Sequence, residues 1–552
     1  MRLNMSFNLI DFIFLIAPLF YGIMPVWSCC LLGIVCTLGI INKFRKEKSI
    51  LIPKGPTIYL LIIYIFSFLI TEFVAIDKGM NLLAFIKNIP IILFVILLAQ
   101  FNEKSEEKNR HLYMTSISAS VSVIISLLLS SVTFLNIYSG NRLHGLFYYA
   151  NSYGLFLLIG VLVLFFRKNK KWYDYLMLVI LFSGIVLTNS RAIILMTFLF
   201  LVVSIFFNKK QWQSSVFSIL GFVIIFVIAY YGFGMEKRIN SEMLESSEFI
   251  SRIIYYEDAL SMIKNHPLGL GYEGFWYEQA KEQTGIYDSK FVHSSILQIG
   301  LDVGIIPMFL ISALFIITFF NKKQYAFSRI IMLAIVGHSI IDVDLEYLYF
   351  ILIFSMFMDY QTVKLKSSKI VYGTVIPMSF IMVWIFLGDA FFYAKNFRIA
   401  TSIIPFHSDA LQEMLYTVTT ENEQLNYANK TLKYNKNVSG AYEALRNEAL
   451  KNNDFNEAIK NEKQRLLLNK YKIQNYIQYA GVLVEAAKFY SNKNDNENTY
   501  KCLEEIVKIE DDIKNVLDET NPLCYKTIHT PELDIPEELQ NLIEESKEII
   551  ES

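Results

Sequence analysis

The stretch FVHSSILQIGLDVGIIP, from Phe291 to Pro307, places a histidine where a long polar segment re-enters an apolar one. The apolar run continues to about residue 320, which is typical of a membrane-spanning helix. An imidazole at such a boundary, here His293, is costly unless it is used or satisfied by a partner. The stretch therefore predicts a membrane protein with a polar site at the end of one span.

Composition extends this prediction over most of the chain. Hydrophobic residues make up 54% of the 552 positions and charged residues only 18%, a balance that soluble proteins of this size rarely show. The apolar content ends near residue 393. We therefore expect an all-α fold: a polytopic membrane domain over 1–393 and a polar domain over 394–552. The membrane domain has about 13 transmembrane helices, near 7–24, 26–42, 57–76, 81–101, 112–137, 150–166, 174–189, 191–207, 215–234, 293–320, 329–344, 346–360 and 370–392.

The loops between these spans predict their orientation. One alternating set of loops carries twenty lysines and arginines, whereas the opposite short loops carry Lys78, Arg142 and Arg191. Because basic residues accumulate on the cytoplasmic side, the amino terminus is expected inside. With thirteen spans, the external segment of about 235–292 and the carboxy-terminal domain then lie outside the cytoplasm. We expect neither region to bind nucleic acid.

The carboxy-terminal domain reads as a series of helical hairpins. Two stretches beginning at Ala441 and Tyr479 share a helix–turn–helix pattern with a period near 38 residues. This pattern is similar to tetratricopeptide repeats, which stack because no single hairpin can bury its apolar face. Such arrays bind partner proteins, and the alternative is that the domain is a structural cap over the membrane domain.

The acidic carboxy-terminal end argues against nucleic-acid binding. The sequence does not decide whether Cys502 and Cys524 form a disulfide.

Three cationic or titratable side chains stand out on the predicted outer face. Arg191 follows a polar break, TNSR, and opens a helix, where a guanidinium and the helix dipole together favour a phosphate. Arg252 begins an amphipathic helix that ends before Pro267. His293 could serve as a general base near neutral pH. Each residue also has an interpretation without chemistry. The arginines could extend to the membrane surface from helix ends, and the histidine could be a hydrogen-bonded core residue.

Two further features concern possible partners of these histidines. Asp302 lies nine residues after His293, which on one continuous helix places it near the opposite face. His338 and Asp342 lie four apart in GHSIIDVDLEY and are expected to share a helical face within the membrane. We interpret that pair as structural or as a group that supports the site.

Four motifs in the same order resemble the O-antigen ligase and polymerase family of bacterial envelope glycan assembly, over roughly residues 110–360. Each motif is degenerate alone, but all four fall on the predicted outer face. They are Arg142, Gly145, Phe147 and Asn151; Arg191 with Leu195; Arg252 with Pro267, Gly269 and Gly271; and His293 with Ser294 and Gly304.

The resemblance implies a membrane glycosyltransferase. The donor would be a glycan on undecaprenyl pyrophosphate, and the acceptor a hydroxyl of a glycan, lipid or protein at the outer face of the bacterial cytoplasmic membrane. Neither a metal nor another cofactor is implied. His293 would be the catalytic base, Arg191 and Arg252 would hold the donor pyrophosphate, and Arg142, Asn151 and His338 would contribute to substrate binding.

Several alternatives stay open on the sequence. Within the same class, the protein could polymerise lipid-linked repeat units or act as a protein O-oligosaccharyltransferase. In another class, it could be a glycan flippase or a membrane scaffold for the repeat domain. A transporter would be expected to show internally related halves, and no such repeat is evident. A scaffold would leave Arg191, Arg252 and His293 without a use.

Overall fold

The protein is an array of helices with two small antiparallel ribbons. The computed structural model describes residues 8–101, 105–130, 137–139, 142–167, 169–207, 212–232 and 247–552. Up to residue 232 it contains helices α1 to α9 and strands β1 to β3. They are α1 Leu9–Ile16, α2 Val26–Glu47, β1 Ile50–Lys54, α3 Pro56–Thr71, α4 Lys78–Ala99, α5 Ser105–Leu128, β2 Tyr138–Ser139, β3 Arg142–Leu143, α6 Ala150–Phe166, α7 Trp172–Leu187, α8 Arg191–Phe207 and α9 Trp212–Gly232.

From residue 247 onward, the described elements are helices apart from one more strand. The predicted external segment contributes α10 Ser247–Asn265 and α11 Gly274–Glu282, and its first part, 235–246, lies outside the described residues. The last membrane elements are α12 Ser295–Val303, α13 Ile305–Phe320, α14 Ala326–Ser339, α15 Leu348–Ser355, β4 Gln361–Leu365 and α16 Ser368–Tyr393. The carboxy-terminal helices are α17 Phe397–Ile403, α18 Ser408–Thr417, α19 Glu421–Tyr434, α20 Ser439–Lys451, α21 Phe455–Leu467, α22 Ile473–Asn492, α23 Asn496–Asp518 and α24 Glu537–Glu551.

The apolar helices identify an integral membrane protein. Among the described residues, α2, α4, the Glu107–Leu128 part of α5, and α16 are long and apolar enough to cross a membrane. Eight shorter apolar helices accompany them. The exact number of spans stays a prediction, and two of the expected stretches look different. Residues 293–320 form two helices broken at Gly304, and residues 346–360 contain only the eight-residue helix α15.

Helix α6 lies at the centre of the membrane domain. Its residues are apolar on every side, and all from Ala150 to Phe165 are buried. A helix that is apolar all round needs neighbours all round, and α6 has them in α5, α7, α8 and α14. Helix α6 begins at Ala150, directly after Tyr149. Tyr149 and Asn151 therefore lie at one end of the helix bundle.

The break at Gly304 is formed by a crossing of two chain segments. Gly269 and Gly304 both have positive φ, at 87° and 94°. A Cβ on Gly304 would meet the carbonyl oxygen of Pro267 at 2.5 Å, so only glycine permits this approach. Backbone bonds close the crossing, among them Ile305 N to Pro267 O at 3.1 Å. The Pro-x-Gly-x-Gly turn thus fixes the start of α13 and the position of α12.

A ribbon joins the two ends of the membrane domain in sequence. Strand β1 pairs with β4 in antiparallel register, from Ile50 opposite Leu365 to Lys54 opposite Gln361. Both strands lie in loops that the basic residues assign to the same side of the membrane. A second ribbon pairs β2 with β3, and Arg142 lies in it opposite Ser139.

The carboxy-terminal helices pack consecutively and fold back onto the external segment. Successive helices from α17 to α24 contact each other, as helical hairpins do. The tetratricopeptide assignment and the domain boundary stay predictions. Buried Asp77, before α4, accepts hydrogen bonds from Ser408 and Asn435, and Asn521 N donates to Thr284 O. Cys502 and Cys524 are buried and free, so they form no disulfide.

Candidate active site

His293 lies in the short extended segment between the external helices and α12. Ser294 caps α12, so His293 precedes the helix, and Tyr256 of α10 donates to the His293 carbonyl at 2.6 Å. The imidazole Nδ1 lies 3.1 Å from Tyr149 Oη and 3.4 Å from Asp342 Oδ1. Its side chain is 25% exposed. One ring nitrogen is therefore held by the protein while the ring keeps an open side.

Asp342 is the point at which the site residues meet. Its carboxylate accepts from Tyr149 Oη at 2.9 Å and from Asn151 Nδ2 at 2.6 Å, and it also lies against His293. Asp342 itself is buried, and Arg252 lies close enough to interact with it electrostatically. Asp342 is thus a buried carboxylate behind a partly exposed imidazole.

Arg252 brings a fixed cation to the same carboxylate. It projects from α10, and its Nη1 lies 3.4 Å from the carbonyl oxygen of Ile341, the residue before Asp342. It interacts electrostatically with Asp342 and Tyr149. The structure therefore brings Arg252 and His293 close to the same carboxylate, as expected for two parts of one site.

Arg142 and Asn151 belong to the same network. Arg142 Nη2 donates to Asn151 Oδ1 at 2.5 Å, and Asn151 in turn donates to Asp342. Arg142 Nε also donates to the carbonyl oxygen of Thr188 at 3.1 Å. Thr188 directly follows α7 and lies three residues before Arg191, which is the first residue of α8. Arg142 therefore links the His293 network to the turn from which Arg191 projects.

His338 does not pair with Asp342 as the four-residue spacing predicted. Helix α14 ends at Ser339, so Asp342 lies in the following loop and does not share a face with His338. The partner of His338 is Asp344, at 2.6 Å from Nδ1, and both side chains have no exposed area. Asp302, in turn, is buried and accepts from Gln298 at 2.8 Å rather than contacting His293.

Two members of the site were not identified from the sequence. Tyr149 bridges His293 and Asp342, and Asp342 rather than Asp302 is the carboxylate that contacts His293. The Asp342-Val343-Asp344 spacing was a usable signal, because it supplies two carboxylates for two nearby histidines. Tyr149 carried no comparable signal, since Tyr is frequent throughout this chain.

Comparison with known proteins confirms the resemblance. The family model described as O-antigen ligase matches residues 176–312, which include Arg191, Arg252 and His293. The chain thus carries an O-antigen ligase domain, which supports an enzyme of the lipid-linked glycan transferase kind. No curated protein and no solved structure matches the chain.

Proposed function

We propose that this chain, whose residues 176–312 form an O-antigen ligase domain, transfers a glycan from an undecaprenyl-pyrophosphate carrier to an acceptor hydroxyl. The reaction would take place at the outer face of the bacterial cytoplasmic membrane, with the amino terminus inside and the carboxy-terminal helices outside. The single observation that carries the proposal is the contact of His293 with the Tyr149–Asp342 pair, beside Arg252.

His293 is the proposed general base. Nδ1 faces Tyr149 and Asp342, so with the proton on Nδ1 the other ring nitrogen, Nε2, is unprotonated and can accept a proton. The acceptor hydroxyl would attack the anomeric carbon of the donor glycan and give its proton to Nε2. Ionised Asp342 would stabilise the imidazolium that results, in the manner of other His–carboxylate pairs.

The arginines have the complementary role at the leaving group. As the bond between the anomeric carbon and the phosphate oxygen breaks, its electron pair passes to undecaprenyl pyrophosphate. Arg252, already within reach of the His293 network, and Arg191, at the amino terminus of α8, would stabilise this growing negative charge. Arg142 and Asn151 would hold Asp342 in place and shape the donor side of the site.

The buried His338–Asp344 pair has a different proposed role. With neither side chain exposed, this pair cannot contact a substrate in the observed conformation. It would instead fix the loop that carries Asp342, because Asp344 lies two residues beyond it and also accepts from Ser152 of α6. We therefore propose a positioning role for His338 rather than substrate binding.

Purified protein in liposomes with an undecaprenyl-pyrophosphate-linked glycan tests the proposal directly. We expect transfer with the wild-type chain and about 10²–10⁴-fold less with His293→Ala, while both bind undecaprenyl pyrophosphate equally. Normal transfer by His293→Ala would overturn the assignment. In a deletion strain, long glycans accumulating on the carrier would indicate a ligase, and single repeat units would indicate a polymerase.

A further inference from the structure

A polar cavity adjoins the chain segment that leads to His293. It has a volume of about 350 Å³, within the usual range for small-ligand pockets. It is bounded by the starts of α2 and α4, the end of α16, helix α11 and the start of α18. The carboxy-terminal region therefore supplies one wall of the cavity and the membrane domain supplies the opposite wall.

The cavity lining alternates aromatic rings with hydrogen-bonding side chains. Trp276 and Tyr277 line one side, and Tyr277 Oη donates to Gln412 at 3.0 Å and to Asp409 at 3.3 Å. Lys290 pairs with buried Glu273 at 2.8 Å. Aromatic faces beside carboxylate and amide groups suit a sugar, because its C–H face packs on a ring and its hydroxyls donate to the polar groups.

The charge of the cavity argues against a phosphate ligand. Its lining holds Glu273, Asp389, Asp409 and Glu413 against Lys290 and His407, which lies 3.1 Å from Asp389. Burial and the neighbouring Asp409 raise the pKa of Glu273, so its carboxylate relies on Lys290 as a partner and leaves no cation free for an anionic ligand. An uncharged sugar fits this lining, whereas the pyrophosphate of the donor does not. The site differs in this respect from the arginine-rich side of the His293 network.

The covalent chain places the cavity within reach of the base. Lys290 and Phe291 line the cavity, and His293 follows within three residues. Three extended residues span at most about 11 Å, which bounds the Cα separation of Lys290 and His293. This bound places the cavity wall and the backbone of the proposed base within the length of a short glycan.

We infer that this cavity binds the acceptor as an uncharged glycan, and that the carboxy-terminal helices are there to form its outer wall. The inference rests on the proposed function and adds to it the class of acceptor and the location of its site. It assigns acceptor recognition to Trp276, Tyr277, Asp409 and Gln412, and leaves the donor to the arginines.

Selective blocking of the cavity tests the inference without knowledge of the acceptor. Glu413 lines the cavity and is exposed, and the five native cysteines are buried. We would label Glu413→Cys in membrane vesicles either with methyl methanethiosulfonate, which adds a small group, or with a methanethiosulfonate that carries a bulky, uncharged group. Glu485→Cys, at an exposed carboxylate of α22 outside the cavity lining, is the matched control. The readouts are glycan transfer to the endogenous acceptor and binding of undecaprenyl pyrophosphate.

The bulky adduct at residue 413 is expected to remove most of the transfer and leave undecaprenyl pyrophosphate binding unchanged. The unlabelled variant, its methyl adduct and both adducts of the control should transfer normally, which would show that the fold is intact. Full transfer with the cavity blocked would overturn this inference alone, as would a loss of carrier binding, which would make it a donor site. If His293→Ala also transfers normally, the proposed function fails and the inference fails with it.

Discussion

The structure holds two imidazole–carboxylate pairs whose carboxylates, Asp342 and Asp344, are two residues apart in one loop. His293 meets Asp342 at 3.4 Å with a quarter of its side chain exposed, and His338 meets Asp344 at 2.6 Å with none exposed. The closer pair is the enclosed one. The comparison teaches that a short His–Asp contact indicates a role in structure as readily as a role in chemistry. Access to substrate separates the two cases.

The largest expected difference between the pairs is in turnover. His293→Ala should lower glycan transfer by about 10²–10⁴-fold, because a positioned general base contributes that much. The measurement is single-turnover transfer in proteoliposomes at saturating donor. Unfolding should be unchanged in the same preparation, and a variant that loses transfer only in proportion to its loss of folded protein would remove the distinction.

The next effect concerns stability rather than chemistry. His338→Ala leaves Asp344 buried without its main partner, which should cost about 3–5 kcal/mol of stability. Thermal unfolding in detergent would show a lower midpoint. The protein that remains folded should lose far less transfer than His293→Ala does, because the base and Asp342 are still present. A loss as large as that of His293→Ala in fully folded His338→Ala would move this pair into the chemistry and break the comparison.

Asp342→Asn should lower transfer by about 10²-fold, because the amide cannot stabilise an imidazolium as a carboxylate does. Thermal unfolding of the same preparation separates this effect from a packing change, because a lost chemical role lowers transfer per folded molecule. Asp344→Asn is the matched control. An equal loss of transfer per folded molecule with both variants would contradict separate roles.

Arg252→Ala should weaken use of the donor by roughly 10- to 100-fold, the range expected for a lost hydrogen bond to a charged group. Arg252→Lys should restore only part of it, because lysine cannot make the two-pronged phosphate contact. Titration with undecaprenyl pyrophosphate is the measurement. Unchanged affinity in Arg252→Ala would limit Arg252 to orienting Asp342.

The smallest effect is expected at Tyr149. Tyr149→Phe removes the hydroxyl that bridges His293 and Asp342 and should slow transfer roughly fivefold, as the loss of one hydrogen bond does. Tyr347→Phe, whose hydroxyl donates to the carbonyl of Phe147, is a control that removes a buried tyrosine hydroxyl elsewhere. Loss of activity equal to that of His293→Ala would show that Tyr149 takes part in the chemistry itself.

Much of this arrangement could be predicted from local sequence, and the rest depends on where helices end. Apolar length indicated the membrane helices, and four motifs brought Arg142, Asn151, Arg252 and His293 to one site. The four-residue spacing of His338 and Asp342 predicted a shared helical face, which the structure does not have because α14 ends at Ser339. The predicted continuous span 293–320 is broken at Gly304, where it crosses the Pro267–Gly271 turn. Contacts between distant segments, such as Asp77 with Ser408, leave no local pattern.

The β1–β4 ribbon has a mechanical consequence. It pairs Ile50–Lys54 with Gln361–Leu365 through five residue pairs, so the first and last thirds of the membrane domain are hydrogen-bonded to each other at that end. A transporter that alternates its access by rocking two helix bundles must separate those bundles at each face in turn. Here, separating these two segments would require breaking the β1–β4 hydrogen bonds on every cycle. The strand pairing instead suits a rigid membrane domain that works from one face.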